Sequence, residues 1–205
     1  PDHRGNFNNV GHEVLRNHMM AFLHYVDEPS YFHLVKTLVY ETFYTQINDQ
    51  QILRLHQLLS GFFDDLKDYF LEVLSRENPR ILGLSVYRGN LAASMFAFKL
   101  TKEHFPQVKT VMGGAVFAGE LTVGSINFEF FLEKTPYIDK IIVGEGEFLF
   151  LEYLRGHLPD SQRVYTLDDI GGKTLDITTA GIPDFSGLQL EFYPNLAAYT
   201  SRSCP

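Results

Sequence analysis

The hydrophobic period of the chain changes at Pro79, and this change limits the available folds more than any other feature. After Pro79, short apolar runs at residues 81–86, 109–112 and 138–143 alternate with stretches of helical period. Alternation of strand and helix is typical of βαβ units, in which a parallel sheet carries helices on both faces. The sequence therefore predicts an α/β fold in which these three strands are parallel and adjacent.

The residues before Pro79 have helical period only. Apolar side chains recur at steps of three and four over residues 9–26, 30–46 and 52–73. Ser30 is the predicted N-cap of the second helix, and Asn48 or Asp49 that of the third, which we expect to end at Pro79. The third helix carries a regular apolar stripe of Ile52, Leu55, Leu59, Phe62, Leu66, Tyr69 and Val73. Packing within the chain is the favoured interpretation of this stripe, and a partner-binding coiled coil is the alternative.

These patterns divide the chain into three predicted regions: a helical segment at 1–79, an α/β domain at 80–158 and a connector at 159–205. Within the second region we expect helices at 91–104, at 120–134 and from 147 to about 157. An edge strand at 163–167 and a last strand at 196–200 are predicted in the connector. We describe the α/β region as Rossmann-like (flavodoxin-like), a parallel sheet flanked by helices and preceded by the helical segment.

Composition excludes several classes of function. The net charge is −8, and the acidic excess is shared equally between residues 1–80 and 81–205, so nucleic-acid binding is not expected. No apolar run is long enough to span a bilayer, and the first 30 residues contain no signal-peptide core, so we expect neither a membrane nor a secreted protein. Cys204 is the single cysteine, which excludes a disulfide framework and favours a cytoplasmic location. The first and last residues, Pro1 and Pro205, suggest a fragment of a longer protein.

The three predicted strands end in turns of small residues. Ligands of open parallel sheets bind beyond the carboxyl ends of the strands, so these turns are expected to form one binding rim. Ser85 supplies a hydroxyl, Gly113 and Gly114 allow close approach of the backbone, and residues 144–147 open a helix whose N–H groups favour an acceptor. Leu149 stands where the dinucleotide fingerprint has its third glycine, so a nicotinamide site is only weakly indicated.

The same turns resemble those of cobalamin-dependent radical SAM enzymes. Residues 85–87 (Ser-Val-Tyr) and the later pair Gly113-Gly114 look like the S-x-L and GG elements of cobalamin-binding domains. Residues 138–147 (IDKIIVGEGE) resemble the "vD.vv.GEGE" pattern, and residues 199–205 (YTSRSCP) resemble the "TSRGCP" segment that begins the Cys-x3-Cys-x2-Cys cluster motif, with Ser203 in place of glycine. The resemblance covers residues 79–205. The strand-helix-strand that normally opens such a domain is absent, and so is the D-x-H-x-x-G motif.

The resemblance implies the cobalamin-binding part of a radical SAM enzyme, a methyltransferase or an oxidoreductase. A [4Fe–4S] cluster and S-adenosylmethionine are implied for the intact protein only, because this chain offers one cluster ligand, Cys204. The implied partners are the corrinoid and a C-terminal radical SAM domain of the same protein. The implied corrinoid-binding residues are Ser85, Tyr87, Arg88, Gly89, Asn90, Gly113, Gly114, Ala115, Val116, Phe117, Gly144, Glu145, Gly146 and Glu147.

Two further expectations follow for the bound cofactor. The rim turns contain no histidine, so we expect cobalamin without histidine ligation and with its own base displaced, and the side chains beneath cobalt to come from Tyr87, Arg88, Val116 or Phe117. A bulky residue at Gly114 is expected to block binding while the fold stays largely intact. The alternative function is a noncatalytic Rossmann-like module that senses a small ligand or mediates an interaction, with the long helix as a dimerisation element.

Overall fold

A computed structural model describes residues 4–119, 121–179, 181 and 184–192. Helices and strands succeed one another in the order predicted from Pro79 onward. The elements are α1 Arg4–His24, α2 Glu28–Phe43, α3 Asp49–Glu77, β1 Ile81–Ser85, α4 Leu91–His104, β2 Lys109–Gly113, α5 Ile126–Lys134, β3 Lys140–Ile142, α6 Gly146–Leu154 and β4 Val164–Tyr165.

Four parallel strands form one sheet in the order β1-β2-β3-β4. The register aligns Ile81 with Lys109 and Ser85 with Gly113, so β1 and β2 end level with each other. The predicted parallel, adjacent arrangement of the first three strands is confirmed, and the predicted edge strand is the parallel β4. The carboxyl ends of the strands therefore meet at one edge of the sheet.

Helices cover both faces of this sheet, as expected for a Rossmann-like α/β fold. Because side chains alternate along a strand, Met112 and Ile141 point to one face, where Phe98 of α4 and Phe128 of α5 complete a core. On the opposite face, the neighbouring residues of the same strands contact α6 in a second core of Val111, Ile142, Leu149 and Tyr165. The chain thus places α4 and α5 on one side of the sheet and α6 on the other.

The first three helices form a lobe beside the sheet. Tyr31, Val35 and Ile52 make a separate small core between α1, α2 and α3. The lobe packs on α4 instead of on the strands, and the rings of Phe63 and Phe96 lie 4.9 Å apart at that contact. Across the part of the chain that the structure describes, no helix is both long enough and apolar enough to cross a membrane.

Several boundaries differ from the sequence prediction; the last helix of the α/β region, for example, ends at Leu154 and not near residue 157. The N-cap of α2 is Asp27, not Ser30, because Pro29 fits the first turn and the helix begins before it; the Asp27 carboxylate accepts a hydrogen bond from the Ser30 N–H at 2.8 Å. Helix α5 begins at Ile126, capped by Ser125, and not near residue 120. The third strand is shorter than predicted, at residues 140–142. The predicted cap of α3 is confirmed, since Asn48 and Gln51 form a capping box.

The buried face of α3 also differs from the predicted stripe. Ile52, Leu59, Phe63 and Leu74 are the buried apolar residues. Leu55, Phe62 and Tyr69, which belong to the predicted stripe, are 37%, 43% and 58% exposed. The apolar residues of α3 spread over a wider part of the helix surface than the neighbouring helices cover. One side of this apolar surface is therefore buried and the other is exposed.

Candidate ligand cleft at the carboxyl ends of the strands

A cleft of about 390 Å³ lies at the carboxyl ends of β1, β2 and β3, on the face of the sheet that carries α6. This volume is at the small end of the range typical of ligand sites. Its lining is mostly apolar or glycine, with one hydroxyl and one carboxylate. The lining residues are Gly83, Leu84, Ser85, Val111, Gly113, Gly114, Ile142, Gly144, Gly146, Glu147 and Phe150.

Glycines at alternate positions open the floor of this cleft. Gly83 and Gly113 lie on the α6 face of neighbouring strands, and neither brings a side chain to it. A Cβ built on Gly83 would meet the Phe150 ring at 3.7 Å, and one on Gly113 would meet Ile142 at 3.6 Å. Both are ordinary contact distances, so the fold tolerates a Cβ at either position. The missing side chains therefore leave space for a ligand next to the backbone.

Gly114 has a different role, because the chain cannot tolerate a side chain there. Its φ of +110° lies in the region that favours glycine, and a Cβ would meet the Val86 backbone oxygen at 2.4 Å and nitrogen at 2.6 Å. The Val86 N–H donates to the Gly113 oxygen at 2.7 Å, and its carbonyl accepts from the Val116 N–H at 3.1 Å. The expectation that a bulky residue at Gly114 leaves the fold intact is therefore wrong.

The turn between β1 and α4 is closed by Asn90. Its side-chain oxygen accepts from the Tyr87 N–H at 2.9 Å, and its amide donates to the Ser85 carbonyl at 3.1 Å. Arg88 points toward the helical lobe and forms an ion pair with Glu13 of α1 at 3.1 Å. The Tyr87 side chain is 56% exposed outside the cleft. This turn therefore forms the outer rim of the cleft and also connects the rim to the helical lobe.

The turn between β3 and α6 forms the opposite wall. Gly144 has a φ of +96°, and a Cβ there would come within 3.3 Å of Leu167. Glu145 is the N-cap residue of α6 and makes no side-chain capping hydrogen bond. The helix begins at Gly146, so Gly146 and Glu147 bring its first turn to the cleft. N–H groups of a first helical turn favour an acceptor or an anion on the ligand.

Six of the fourteen predicted corrinoid-binding residues line the cleft: Ser85, Gly113, Gly114, Gly144, Gly146 and Glu147. Tyr87, Arg88, Gly89, Asn90, Ala115 and Glu145 belong to the adjoining turns. Val116 and Phe117 are 6% and 3% exposed and belong to the core on the other face of the sheet. Of the four side chains considered for the position beneath cobalt, only Tyr87 and Arg88 are exposed.

Sequence reasoning missed Gly83, Leu84, Val111, Ile142 and Phe150, which also line the cleft. Sequence signals for three of them were present. Glycine inside a strand marks a close approach of a ligand or another backbone, and Gly83 is the central residue of β1. Counting back two residues from the predicted turns also reaches Gly83, Val111 and Ile142, because alternate residues of a strand share a face.

Within the described residues there is no group of three or more His, Cys, Asp or Glu side chains that could hold a metal ion. The cleft lining contains no histidine. Cys204, the predicted cluster ligand, and the predicted strand at 196–200 lie outside the described residues. Any cluster thus requires ligands beyond the described part of the chain.

Comparison with known proteins gives one partial match. Over 82 residues the chain is 39% identical to the cobalamin-dependent radical SAM methyltransferase TokK of Streptomyces tokunonensis. The matched region is 40% of this chain and 11% of that protein. No family model matches the chain, and no solved structure matches it. The chain therefore shares a partial similarity with a cobalamin-dependent radical SAM methyltransferase, and the match spans about a tenth of that enzyme's length.

Proposed function

We propose that this chain is the cobalamin-binding part of a radical SAM enzyme. The observation that carries the proposal is the glycine-lined cleft at the carboxyl ends of β1, β2 and β3, because six residues of the family-like turns line it. The partial similarity to a cobalamin-dependent methyltransferase supports the same conclusion from a separate direction. The activity of the whole enzyme, a methyl transfer or a related oxidoreduction, belongs to this proposal as well.

The size of the cleft limits which part of the cofactor it holds. A corrinoid is larger than the drug-sized ligands that fill clefts of 300–1,000 Å³, so a cleft of about 390 Å³ takes one arm of it. Gly83 and Gly113 would leave room beside the backbone for a flat, largely apolar group such as the base of the nucleotide arm. Tyr87 and Ala115, which are exposed on the rim, would contact the rest of the corrinoid.

The polar groups of the cleft suit the rest of that arm. The Ser85 hydroxyl and the first N–H groups of α6 lie on opposite sides of the floor, where they are able to donate hydrogen bonds to oxygen atoms of a ligand. The cleft lining has no histidine, so none of its side chains would supply an imidazole to the corrinoid. When bound, cobalamin supplies a carrier for the transferred methyl group, and this chain's residues hold and orient it.

The remaining cofactors belong to the rest of the proposed enzyme. A [4Fe–4S] cluster needs several thiolates, and this chain has one cysteine, Cys204. We propose that Cys204 is one ligand of the cluster and that a C-terminal radical SAM domain provides the others together with the S-adenosylmethionine site.

The test is reconstitution of the chain with hydroxocobalamin, followed by gel filtration and absorbance spectroscopy. Bound corrinoid should co-elute with the protein, and its Co(II) form should show no nitrogen hyperfine coupling in paramagnetic resonance. The Gly83→Val variant should bind much more weakly, because the new side chain fills the cleft floor at a position where the fold tolerates a Cβ. Lys109→Val is the control, since it places a valine at the exposed amino end of β2, away from the cleft, and should leave binding unchanged.

Equal corrinoid binding by the wild type and a folded Gly83→Val variant would overturn the site. A folded wild-type chain that binds no corrinoid would overturn the function. The second result would favour the noncatalytic module, which binds another small ligand in the same cleft or acts through an interaction surface.

A further inference from the structure

The long helix α3 exposes an apolar stripe that nothing in the described structure covers. Leu55, Leu58, Phe62 and Tyr69 are 37%, 67%, 43% and 58% exposed, and the half-buried Leu66 lies between the last two. Steps of three, four and seven keep these residues on one side of a helix. Scattered apolar residues on a surface are ordinary, but a continuous stripe on one helix face is typical of an interaction site.

We propose that this stripe pairs with the same stripe of a second copy, so that two α3 helices lie antiparallel about a two-fold axis at Phe62. This arrangement makes the surface complementary to itself, as an isologous interface requires. Leu55 and Tyr69 are equally far from Phe62, so each meets the other across the axis. Leu58 and Leu66 are related in the same way. Every apolar residue of the stripe therefore meets another apolar residue.

Charge on the flank of the stripe favours the same pairing. Arg54 and Glu72 lie on one flank of α3, near its two ends, and the antiparallel arrangement brings Arg54 of one copy toward Glu72 of the other. Within the described residues Arg54 forms no ion pair, and Glu72 pairs with Arg76 at the surface. A parallel pairing would instead leave Arg54 and Glu72 of the two copies separated by eighteen residues of helix, about 27 Å, so that these charges could not meet. The antiparallel orientation is thus the one that the charges favour.

Gly61 supplies a separate observation. A glycine inside a helix costs about 1 kcal/mol relative to alanine, and a Cβ at Gly61 would meet nothing within 4 Å. The chain by itself gives no steric reason for a glycine there. Gly61 precedes Phe62 and points about 100° away from it, to the flank that carries Arg54, where the missing side chain leaves room beside the second helix. It also lies across from Asp65 of the second copy, which keeps that carboxylate hydrated.

The first test is analytical ultracentrifugation of the full chain over a range of concentrations. We expect reversible formation of a species of twice the 23.5 kDa chain mass. Phe62→Glu should raise the dissociation constant about tenfold or more, because it places two carboxylates at the axis. Leu53→Glu is the matched control, because Leu53 is also exposed on α3, at 42%. Leu53 precedes Phe62 by nine residues, which are two and a half helical turns, so it lies on the opposite side of the helix. This variant should leave the dimer unchanged.

Two further variants test the charges and the folding of the altered chain. Asp65→Asn should tighten the dimer, since the Asp65 carboxylates of the two copies lie on the same flank near the axis. Leu58→Glu provides a second disruptive change, and circular dichroism should show unaltered helix content for each variant. A Leu53→Glu variant that dissociates as readily as Phe62→Glu would contradict the assigned face.

The second test is disulfide cross-linking in a Cys204→Ser background. Phe62→Cys should link to itself in a second copy, and Leu55→Cys should link to Tyr69→Cys in a mixture. Leu55→Cys alone should not link, because fourteen residues of helix separate the two copies of it by about 21 Å. Self-linking of Leu55→Cys would indicate parallel helices and overturn the proposal. A chain that stays monomeric at every concentration would overturn it too and leave the stripe to a different partner.

Discussion

At the scale of single residues, Gly114 holds the carboxyl ends of β1 and β2 together. Val86 crosses directly above it, and its two backbone groups bond to Gly113 and Val116 on either side. Only a residue without a Cβ allows this approach. The glycine pair that resembles a ligand-binding motif therefore has a structural function at its second residue, and only Gly113 leaves open space for a ligand.

Gly114→Ala should lower the free energy of unfolding by about 2 kcal/mol or more, since it combines a strained φ with a clash against backbone that cannot move away. Urea denaturation followed by circular dichroism measures the change. Gly83→Ala is the control, because a Cβ there meets only Phe150 at 3.7 Å, and its free energy of unfolding should stay close to that of the wild type. Equal losses in the two variants would contradict this account.

His18 should make the stability of the chain depend on pH. Its Nε2 lies 2.6 Å from the Tyr31 hydroxyl in the buried lobe, and burial, with a smaller contribution from His56, lowers the pKa of His18 to about 4. The unfolded chain then takes up this proton first as the pH falls below 6.5. The contribution to stability is complete above pH 6.5 and is lost progressively down to about pH 4, by about 3 kcal/mol at most.

The measurement compares urea denaturation at pH 7 and pH 5 for the wild type and for His18→Gln, which does not titrate. His24 also has a lowered pKa, because of burial and Lys99, so the difference between the two proteins is the quantity that tests His18. The wild type should lose more stability than the variant between these pH values. Parallel losses would show that His18 takes no part.

At the scale of elements, Arg163 joins three pieces of the α/β region. Its guanidinium donates to the carbonyls of Leu132 near the end of α5, of Thr135 beyond it, and of Ile138 before β3. Burial lowers the pKa of Arg163 from its usual value. The side chain precedes β4, so one planar group ties this edge strand to the end of α5.

Arg163→Met should lower the free energy of unfolding by about 2 to 4 kcal/mol, because it leaves several carbonyls without donors. Arg163→Lys should recover only a small part of this loss, since an ammonium group cannot reach three carbonyls from one plane. Chemical denaturation of the three proteins gives the comparison. Full recovery with lysine would mean that charge alone, and not the forked geometry, matters at this position.

At the scale of the whole molecule, α4 connects the helical lobe to the sheet. Ala92, Met95, Phe98 and other residues of this helix are buried, with the sheet on one side and the lobe on the other. The lobe therefore shares a helix with the sheet and is expected to unfold together with it. The domain boundary at residue 79 stays a prediction.

Phe63→Ala should test this coupling, since Phe63 is buried and contacts Phe96 of α4. Removing its ring should cost about 3 kcal/mol and lower hydrogen-exchange protection in β2 as well as in α3, because both depend on one cooperative unit. Loss of protection confined to the lobe would instead support two units that unfold separately.

Local sequence signals predicted the elements and their order well. The parallel β1-β2-β3 arrangement and the bounds of α4 agree with the sequence prediction, because alternating period and chain connectivity act over a few residues. Sequence signals for the exact ends of helices were less reliable. Pro29 moved the start of α2 to Glu28, and the loop around Gly119 and Gly124 delayed α5 to Ile126. Each change reflects a backbone requirement that an apolar period does not report.

The sequence by itself determined the fold class and the turns that border the cleft, because periodicity and glycine position are local properties of the chain. Only the tertiary structure decided which side of α3 is buried, since Phe63 contacts α4 while Phe62, one residue earlier, faces outward. The tertiary structure likewise decided that Gly83 leaves space in the cleft, and that the Val86 backbone passes too close to Gly114 for any side chain there. The physical reason is the same in each case: burial and close approach depend on what other elements place against a residue, and no local pattern contains that information.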